Sequence, residues 1–462
     1  MAYNYSSNYN RNISNYHNSN FIKQMDLLGK KNFNQDRSVA TNNYDNQDNL
    51  KRKPFFTQDR NNVKAIITCN PVTTGKKPIV ASSSNYSDKY EDSQPLISKS
   101  CILQRMNNNS QILNTNQIND YYQYSNFTDT NSIISSKVGL QNLGNTCFMN
   151  TCLQNLIHSE DFINRLLSKA SYIRENSRKA PISSKFLNIC FQMAKNPRGG
   201  SLNPNDFKTQ FGKKHSLFRG CSQNDTQEFC RVLLQDMNVE LNEVTRPMPY
   251  RELSTAKKSK ITCDKEFDDL FRGRESSIVM DSFYGQIINI FTCKCGLQTF
   301  SFQKVLDLPL LLQGGNASIY DLLNDYFEDE TIQFETKCEN CGSKTKHKKE
   351  TRISRPPNIL ILSLQRINPR TKRKNNCKIS FPEELNIKKY IDEEFLYYNS
   401  CKYSLFGVGN HYGTINFGHY YAYIKLNDKS WYEFNDSNVE EIRSINTNSD
   451  TAYVLFYKKN KK

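Results

Sequence analysis

Cys147 lies on a tight polar turn, Gly139-Leu140-Gln141-Asn142-Leu143-Gly144-Asn145-Thr146-Cys147-Phe148-Met149-Asn150, directly before a helical pattern. Met149, Leu153 and Leu156 recur at the spacing of one apolar helix face, and Asn145 or Thr146 can serve as the N-cap. A thiol at a helix start meets unpaired backbone N–H groups and the positive end of the helix dipole. Both stabilise a thiolate, so a depressed pKa and a nucleophile at neutral pH are expected. Asn142 stands five residues upstream, near enough on a tight turn to aim its amide at an oxyanion beside the sulfur. Alone, the pattern suits a small buried cysteine equally well. The presence of a base decides.

A candidate base follows far downstream. Asn410-His411-Tyr412-Gly413 precedes Gly418-His419-Tyr420-Tyr421-Ala422-Tyr423, and Trp431-Tyr432-Glu433-Phe434-Asn435-Asp436-Ser437 comes next. His419–Leu426 is rich in aromatic and β-branched residues and reads as a strand with His419 at its mouth. Trp431–Phe434 reads as the next strand, joined by the turn residues Asn427-Asp428-Lys429-Ser430. Such a hairpin returns Asn435 or Asp436 close to His419, completing a nucleophile, base and orienter in which a side-chain oxygen fixes the imidazole tautomer. A lone strand histidine is more often packing or surface, but this order of cysteine, distant histidine and Asn/Asp reverses that reading.

On these residues the chain resembles the ubiquitin-specific proteases, papain-like cysteine peptidases that cleave after the C-terminal glycine of ubiquitin. The resemblance covers residues 137 to 458. It implies Cys147 as nucleophile, Asn142 at the oxyanion position, His419 as general base, and Asn435 as the third member with Asp436 as helper. His411 matches a family residue near the active site. A third box, Cys221-Ser222-Gln223-Asn224-Asp225-Thr226-Gln227-Glu228-Phe229, lies between the other two. Read without the family, its acids open a helix whose apolar side is Phe229, Val232, Leu233 and Leu241, and a capping role suffices. With the family, Gln223, Asp225 and Glu228 line the channel for the arginine-rich ubiquitin tail. Carboxylates there supply charge-assisted hydrogen bonds, and the terminal Gly-Gly allows a channel too narrow for side chains.

Composition limits the partners. The formal net charge is +16, so a basic tail must be recognised by local acids rather than by the global field. The basic residues are spread along the chain; the densest runs, Lys51-Arg52-Lys53 and Arg370-Thr371-Lys372-Arg373-Lys374, are short. The second lies between strand-like Ile359–Leu364 and Phe381-Pro382 and reads as a solvated loop. A nucleic-acid partner is therefore not expected, and the first run is a weak nuclear-import signal at most. The first fifty residues hold thirteen asparagines with no sustained apolar period, so residues 1–130 read as a disordered Asn-rich leader. No secretory signal and no run of 18 apolar residues is present. The expectation is a soluble protein of cytoplasm or nucleus without a membrane partner. Fourteen dispersed cysteines fit a reducing compartment better than a secreted disulfide framework.

Four cysteines stand apart as two close pairs, Cys293-Lys294-Cys295-Gly296 and Cys338-Glu339-Asn340-Cys341-Gly342. Each ends in glycine, as at the turn of a zinc knuckle, and four thiolates make a closed structural site with no open catalytic position. The family often carries such a zinc, although the first pair here is C-x-C rather than C-x-x-C. The alternative is a degenerate knuckle with free thiols. No catalytic cofactor is expected.

The architecture that the resemblance implies is α+β and hand-like. A helical thumb holds Cys147, the Phe162–Cys230 segments and a helix-rich Phe186–Met193. A β-sheet palm holds Ile359–Leu364, His419–Leu426 and Tyr453–Tyr457. Fingers span about 283–350, from Phe283–Phe302 to Cys338–Cys341. The active site falls at the thumb–palm interface, with Gly407-Val408-Gly409-Asn410 as a mobile loop at the cleft. His158 and His215 have no catalytic context. The activity expected is thiol isopeptide hydrolysis after the C-terminal glycine of ubiquitin. Two alternatives are a non-catalytic ubiquitin-binding scaffold and a protease of another ubiquitin-like modifier.

Overall fold

The cysteine turn feeds a helix with no solvent side. In the computed structural model, which describes residues 129–461 apart from 256–257, 333–334, 369–372 and 415–416, helix α1 (Cys147–Ile157) buries all eleven of its residues. The asparagine-rich leader lies outside the described residues except Asp129 and Thr130, and Lys51-Arg52-Lys53 lies wholly outside them. The single apolar face read from Met149, Leu153 and Leu156 is thus too narrow a description: Asn150, Thr151, Gln154 and Asn155 are buried as well. Their amides are bonded inside, Gln154 Nε2 to the Val138 carbonyl at 3.0 Å and Asn155 Nδ2 to the Thr151 carbonyl at 2.8 Å. That pairing offsets part of the cost of burying them, although the side-chain oxygens of Asn150, Gln154 and Asn155 have no partner among the described residues. Thr146 is the N-cap residue but makes no side-chain cap bond to the helix; its hydroxyl instead accepts from the Leu143 amide at 2.8 Å.

Helices α2 (Glu160–Ser168), α3 (Pro181–Lys195), α4 (Asn205–Lys214) and α5 (Thr226–Glu240) surround α1. The expected Phe186–Met193 is the middle of α3, which starts at Pro181 because proline is preorganised for a first helical position. A short parallel pair, β1 (Gly139–Leu140) and β2 (Ser201–Leu202), anchors the turn before Cys147. Helices α6 (Lys260–Arg272) and α7 (Ile278–Phe283) lead into a hairpin of β3 (Gly285–Thr292) and β4 (Gln298–Val305). Phe283, expected in the fingers, is the last residue of α7 and packs against Phe162 at 5.1 Å in the helical core.

A large sheet packs against these helices. Its first strand is β5 (Leu308–Leu311); β6 (Thr336–Lys337), β7 (Lys344–Thr345) and β8 (Lys348–Arg355) intervene before β9 (Ile359–Gln365). Then follow β10 (Lys402–Gly413), β11 (Gly418–Lys425), β12 (Trp431–Asn435), β13 (Asn438–Ile442) and β14 (Ala452–Lys459). The order is β13-β12-β11-β10-β14-β9-β5, with Glu384–Asn386 pairing β10. Strand β9 is buried on both faces, which explains its unbroken apolar run, whereas β11 alternates half-buried and buried residues. One apolar core fills the space between the sheet and the helices through Leu153, Phe229, Leu233 and Phe456; a second covers the opposite face through Leu362, Tyr403 and Leu455. Each such fully buried side chain contributes roughly 1.5–3 kcal/mol.

The expected mobile loop Gly407–Asn410 is not a loop. It is the buried centre of β10, directly beneath α1. A Cβ on Gly407 would lie 2.2 Å from Asn155 Oδ1, and one on Gly409 would lie 3.4 Å from Thr151 Cγ2. These glycines let helix and sheet approach closely; they are spacers, not hinges.

Polar latches cross the same junction. Arg231 on α5 holds Asp307 bidentately at 2.9 and 2.9 Å, while Gln227 and Ser363 donate to Asp307 at 3.1 and 2.7 Å. Behind the sheet, the fully buried Arg366 donates to the carbonyls of Ala452, Asn375, Cys377 and Ser449 at 2.6–3.1 Å. Among the described residues no helix is long and apolar enough to cross a membrane.

Candidate active site and cysteine cluster

Strand pairing carries the histidine and its orienter to the start of α1. His419 opens β11 and Asn435 closes β12, so the turn at 427–430 sets their register. The His419 Nε2 and Asn435 Oδ1 atoms are 2.7 Å apart, which leaves Nδ1 for the thiol of Cys147. The interaction with Cys147 is the foremost cause of a His419 pKa pushed up to about 9; the Asn435 bond assists and burial opposes it. The imidazolium is therefore the favoured form, and it is the partner that a thiolate needs. Cys147 itself is buried at the first position of its helix.

Asp436 is more than a helper at a distance. Its Oδ2 lies 3.9 Å from His419 Nε2, and its carboxylate accepts Asn142 Nδ2 at 2.8 Å and Asn150 Nδ2 at 2.7 Å. The Leu140 amide donates to its carbonyl at 2.8 Å. Asn142 is held at both ends, because its Oδ1 accepts the Gly144 and Thr146 amides at 3.0 Å each. One Nδ2 hydrogen remains for an oxyanion. Asn150, which the sequence did not single out, holds Asp436 at 2.7 Å and also donates to the Leu140 carbonyl at 3.1 Å. A polar residue one turn after the cysteine, on a helix that proves wholly buried, was the available signal.

The middle box clamps the site. Gln223 is bonded to both backbone groups of Gly418, donating to its carbonyl at 3.0 Å and accepting its amide at 3.2 Å, so it fixes the strand immediately before His419. Asn145 Nδ2 donates to the Cys221 carbonyl at 2.7 Å, and Thr226 Oγ1 to the Phe148 carbonyl at 2.8 Å. Asp225 caps α5 through the Gln227 and Glu228 amides and accepts the Tyr453 hydroxyl. The capping role is thus present, and the same side chain also ties α5 to Tyr453 on β14. Glu228 is exposed at the surface, yet partial desolvation of its carboxylate, with Asp225 nearby, pushes its pKa up against the pull of Arg231.

His411 lies in the interior behind the site rather than on the cleft surface. It is 2% exposed and sits under Gly418, where a Cβ would come within 2.1 Å of its Nε2. Its ring packs on Tyr420 at 4.4 Å and Tyr453 at 5.8 Å. Burial, with Lys374, His419 and Arg366 around it, lowers its pKa to about 4, so it supports the strand as a neutral ring. Lys374, expected in a solvated loop, instead donates to the His411 and Gly413 carbonyls at 2.7 and 3.4 Å. Cys152 is buried beside Cys230, and burial pushes its thiol up.

The four paired cysteines also converge. Cys293, Cys295, Cys338 and Cys341 hold their sulfurs within 4.8 Å of one another, with Cys293–Cys341 at 3.9 Å and Cys295–Cys338 at 3.7 Å. A tetrahedral ion with bonds of about 2.3 Å to sulfur requires S···S edges of roughly 3.8 Å, so the cluster fits a closed four-thiolate site. The C-x-C pair achieves this because Cys293 and Gly296 close a tight turn, the Gly296 amide donating to the Cys293 carbonyl at 2.9 Å. In the second knuckle the Gly342 amide donates to the Cys338 carbonyl at 2.9 Å.

Known proteins share this arrangement. The ubiquitin carboxyl-terminal hydrolase family model matches residues 138–457. Ubiquitin carboxyl-terminal hydrolase 2 of Gallus gallus is 32% identical over 350 residues, spanning 71% of this chain and 95% of its own. Ubiquitin carboxyl-terminal hydrolase 21 of Homo sapiens is 28% identical over 351 residues; the match covers 70% of this chain but only 61% of that relative. In fold, the chain resembles the SAGA Ubp8/Sgf11/Sus1/Sgf73 DUB module bound to ubiquitin aldehyde, with a TM-score of 0.57 at 24% identity, covering 75% of this chain and 74% of that one. The hand-like α+β fold is that of the ubiquitin-specific proteases, and the chain belongs to the ubiquitin carboxyl-terminal hydrolase family.

Proposed function

We propose that this protein is a thiol-dependent deubiquitinase that hydrolyses isopeptide or peptide bonds after the C-terminal glycine of ubiquitin. The observation that carries the reading is His419 held between the Cys147 thiol and Asn435, at 2.7 Å from the latter. The Cys147 thiolate attacks the glycine carbonyl. Asn142 Nδ2 and backbone amides at the start of α1 receive the oxyanion. The His419 imidazolium gives its proton to the leaving lysine amine, then takes one from the water that releases ubiquitin from the thioester. Asn435 fixes the ring, and Asp436 holds Asn142 and stabilises the imidazolium. Asp225 and Glu228 receive the basic tail, and Gln223 keeps the base in register.

The cysteine cluster supports one structural zinc bound by Cys293, Cys295, Cys338 and Cys341, which orders the tip of the β3–β4 hairpin and contributes nothing to the chemistry. Reaction with a ubiquitin C-terminal electrophile, run beside probes built on other ubiquitin-like modifiers, tests the function. Labelling at Cys147 by the ubiquitin probe is expected. Labelling at Cys152, or by another modifier's probe alone, refutes the assignment.

A further inference from the structure

The chemistry assigned to His419 dictates where the other side of the scissile bond must lie. A general acid has to touch the departing nitrogen, so the acceptor chain that carries the lysine passes beside the imidazole. There the sheet presents an aromatic ladder. Tyr412 stands directly across the strands from His419, 52% exposed, with the two rings 5.5 Å apart. Tyr421 follows at 6.1 Å from Tyr412, and Tyr423 at 5.3 Å from Tyr421.

Two carboxylates border the ladder. Glu433 lies across the strands from Tyr423, and Glu440 lies directly opposite Glu433. Like charges opposed in this way destabilise a sheet, yet neither carboxylate has an ion-pair partner among the described residues. Glu433 accepts only Asn435 Nδ2, at 3.2 Å. Lys374 flanks the hairpin but turns its ammonium onto the His411 and Gly413 carbonyls. Aromatic faces beside an uncompensated acid pair form a receptor for cations.

We infer that Tyr412, Tyr421, Tyr423, Glu433 and Glu440 form a docking track for the acceptor side of the substrate, selecting lysines set in basic, extended segments. This rests on the deubiquitinase reading and goes beyond it in naming a preference on the leaving-group side. The two carboxylates are local acids on a chain whose net charge is +16, Lys425 on the same face being paired with Glu383 at 2.8 Å, and the track is continuous with the histidine assigned as base.

The test uses the full chain and three substrates: ubiquitin joined to a small fluorogenic amine, to a lysine between arginines in a short peptide, and to a lysine between glutamates in the matching peptide. The basic peptide should exceed the acidic one in kcat/KM by about tenfold at low salt, and the gap should narrow as salt screens the exposed charges. Glu440→Lys should bring that ratio to about one. Tyr412→Ala should lower the ratio of basic-peptide to fluorogenic-amine turnover, with Tyr412→Phe restoring it. A purely structural role would lower all three substrates together. Equal cleavage of both peptides by the unmodified protein, or an unchanged ratio in Glu440→Lys, overturns the inference while leaving the function intact. Concentration-dependent dimerisation lost in Tyr412→Ala would assign the face to a second copy and also overturn it. Failure on the fluorogenic amine refutes the deubiquitinase reading itself, and the track falls with it.

Discussion

The catalytic cleft and the cysteine cluster both gather distant residues, but by opposite means. In the cleft, the residues proposed to react are framed by neighbours that are themselves hydrogen-bonded in place. Gln223 grips Gly418, Asn150 grips Asp436, and close-packed glycines seat α1 on β10. At the knuckles, two short turns bring four sulfurs together, and among them the contacts are the long sulfur pairs themselves. Preorganisation resides in the protein at the first site and would come from the ion at the second. Damage should therefore scale differently in the two places.

The largest effect belongs to the nucleophile. Cys147→Ala should lower hydrolysis of a ubiquitin amide by on the order of 10⁶-fold while leaving ubiquitin affinity, read by fluorescence anisotropy, nearly unchanged. His419→Ala should cost on the order of 10³-fold or more in kcat. Asn435→Ala should be milder because Asp436 stands 3.9 Å from the same ring nitrogen. Normal turnover in the double Asn435→Ala/Asp436→Ala variant would remove the orienting role from both.

Supporting groups come next. Gly418→Ala drives a methyl into His411, so activity and stability should fall together, with overpacking costing about 1–3 kcal/mol in thermal unfolding. His411→Ala in the same chain should recover part of that loss; additive losses instead would break the packing account. The pH profile sharpens the electrostatic one. The raised His419 pKa means the imidazolium is favoured in the fold, so its contribution is complete below the unfolded value near 6.5 and disappears as pH rises through about 9. The alkaline limb of kcat/KM should sit near pH 9 and move lower in Asn435→Ala.

The knuckles should give the smallest catalytic effect. One zinc per chain is expected by elemental analysis after chelator-free purification. Cys338→Ser should release it and reduce turnover of ubiquitin chains, while Cys147 still reacts with a small electrophile. Loss of that small-molecule reactivity would erase the contrast between the two regions.

Much of this was legible in the sequence. The cysteine turn and the His419–Asn435 hairpin are local patterns, and β-register over a short turn is strongly determined. Phe283 and the Gly407–Asn410 run were misread for one reason. A short apolar or glycine-rich segment carries no local sign of what will be packed against it, and here α1 and α7 decide. The same holds for His411, whose burial depends on long-range stacking with Tyr420 and Tyr453 that no local pattern signals. Asp225 shows the converse, since its capping pattern was a local signal and the cap is present, while its bond to Tyr453 on a distant strand had no sequence sign.

The bond from the Leu140 amide to the Asp436 carbonyl, with Gly139 pressed beneath Ser437, has a bearing on synthesis. The turn that carries the nucleophile finds its floor only when the chain has been made past residue 437. Strand β14, which comes later still, is the central rung between β10 and β9. At roughly 5–20 residues per second, Cys147 waits about 15–60 s for its orienter. Until that strand has left the ribosome the nascent chain carries an unassembled thiol, and the cleft around Cys147 cannot close.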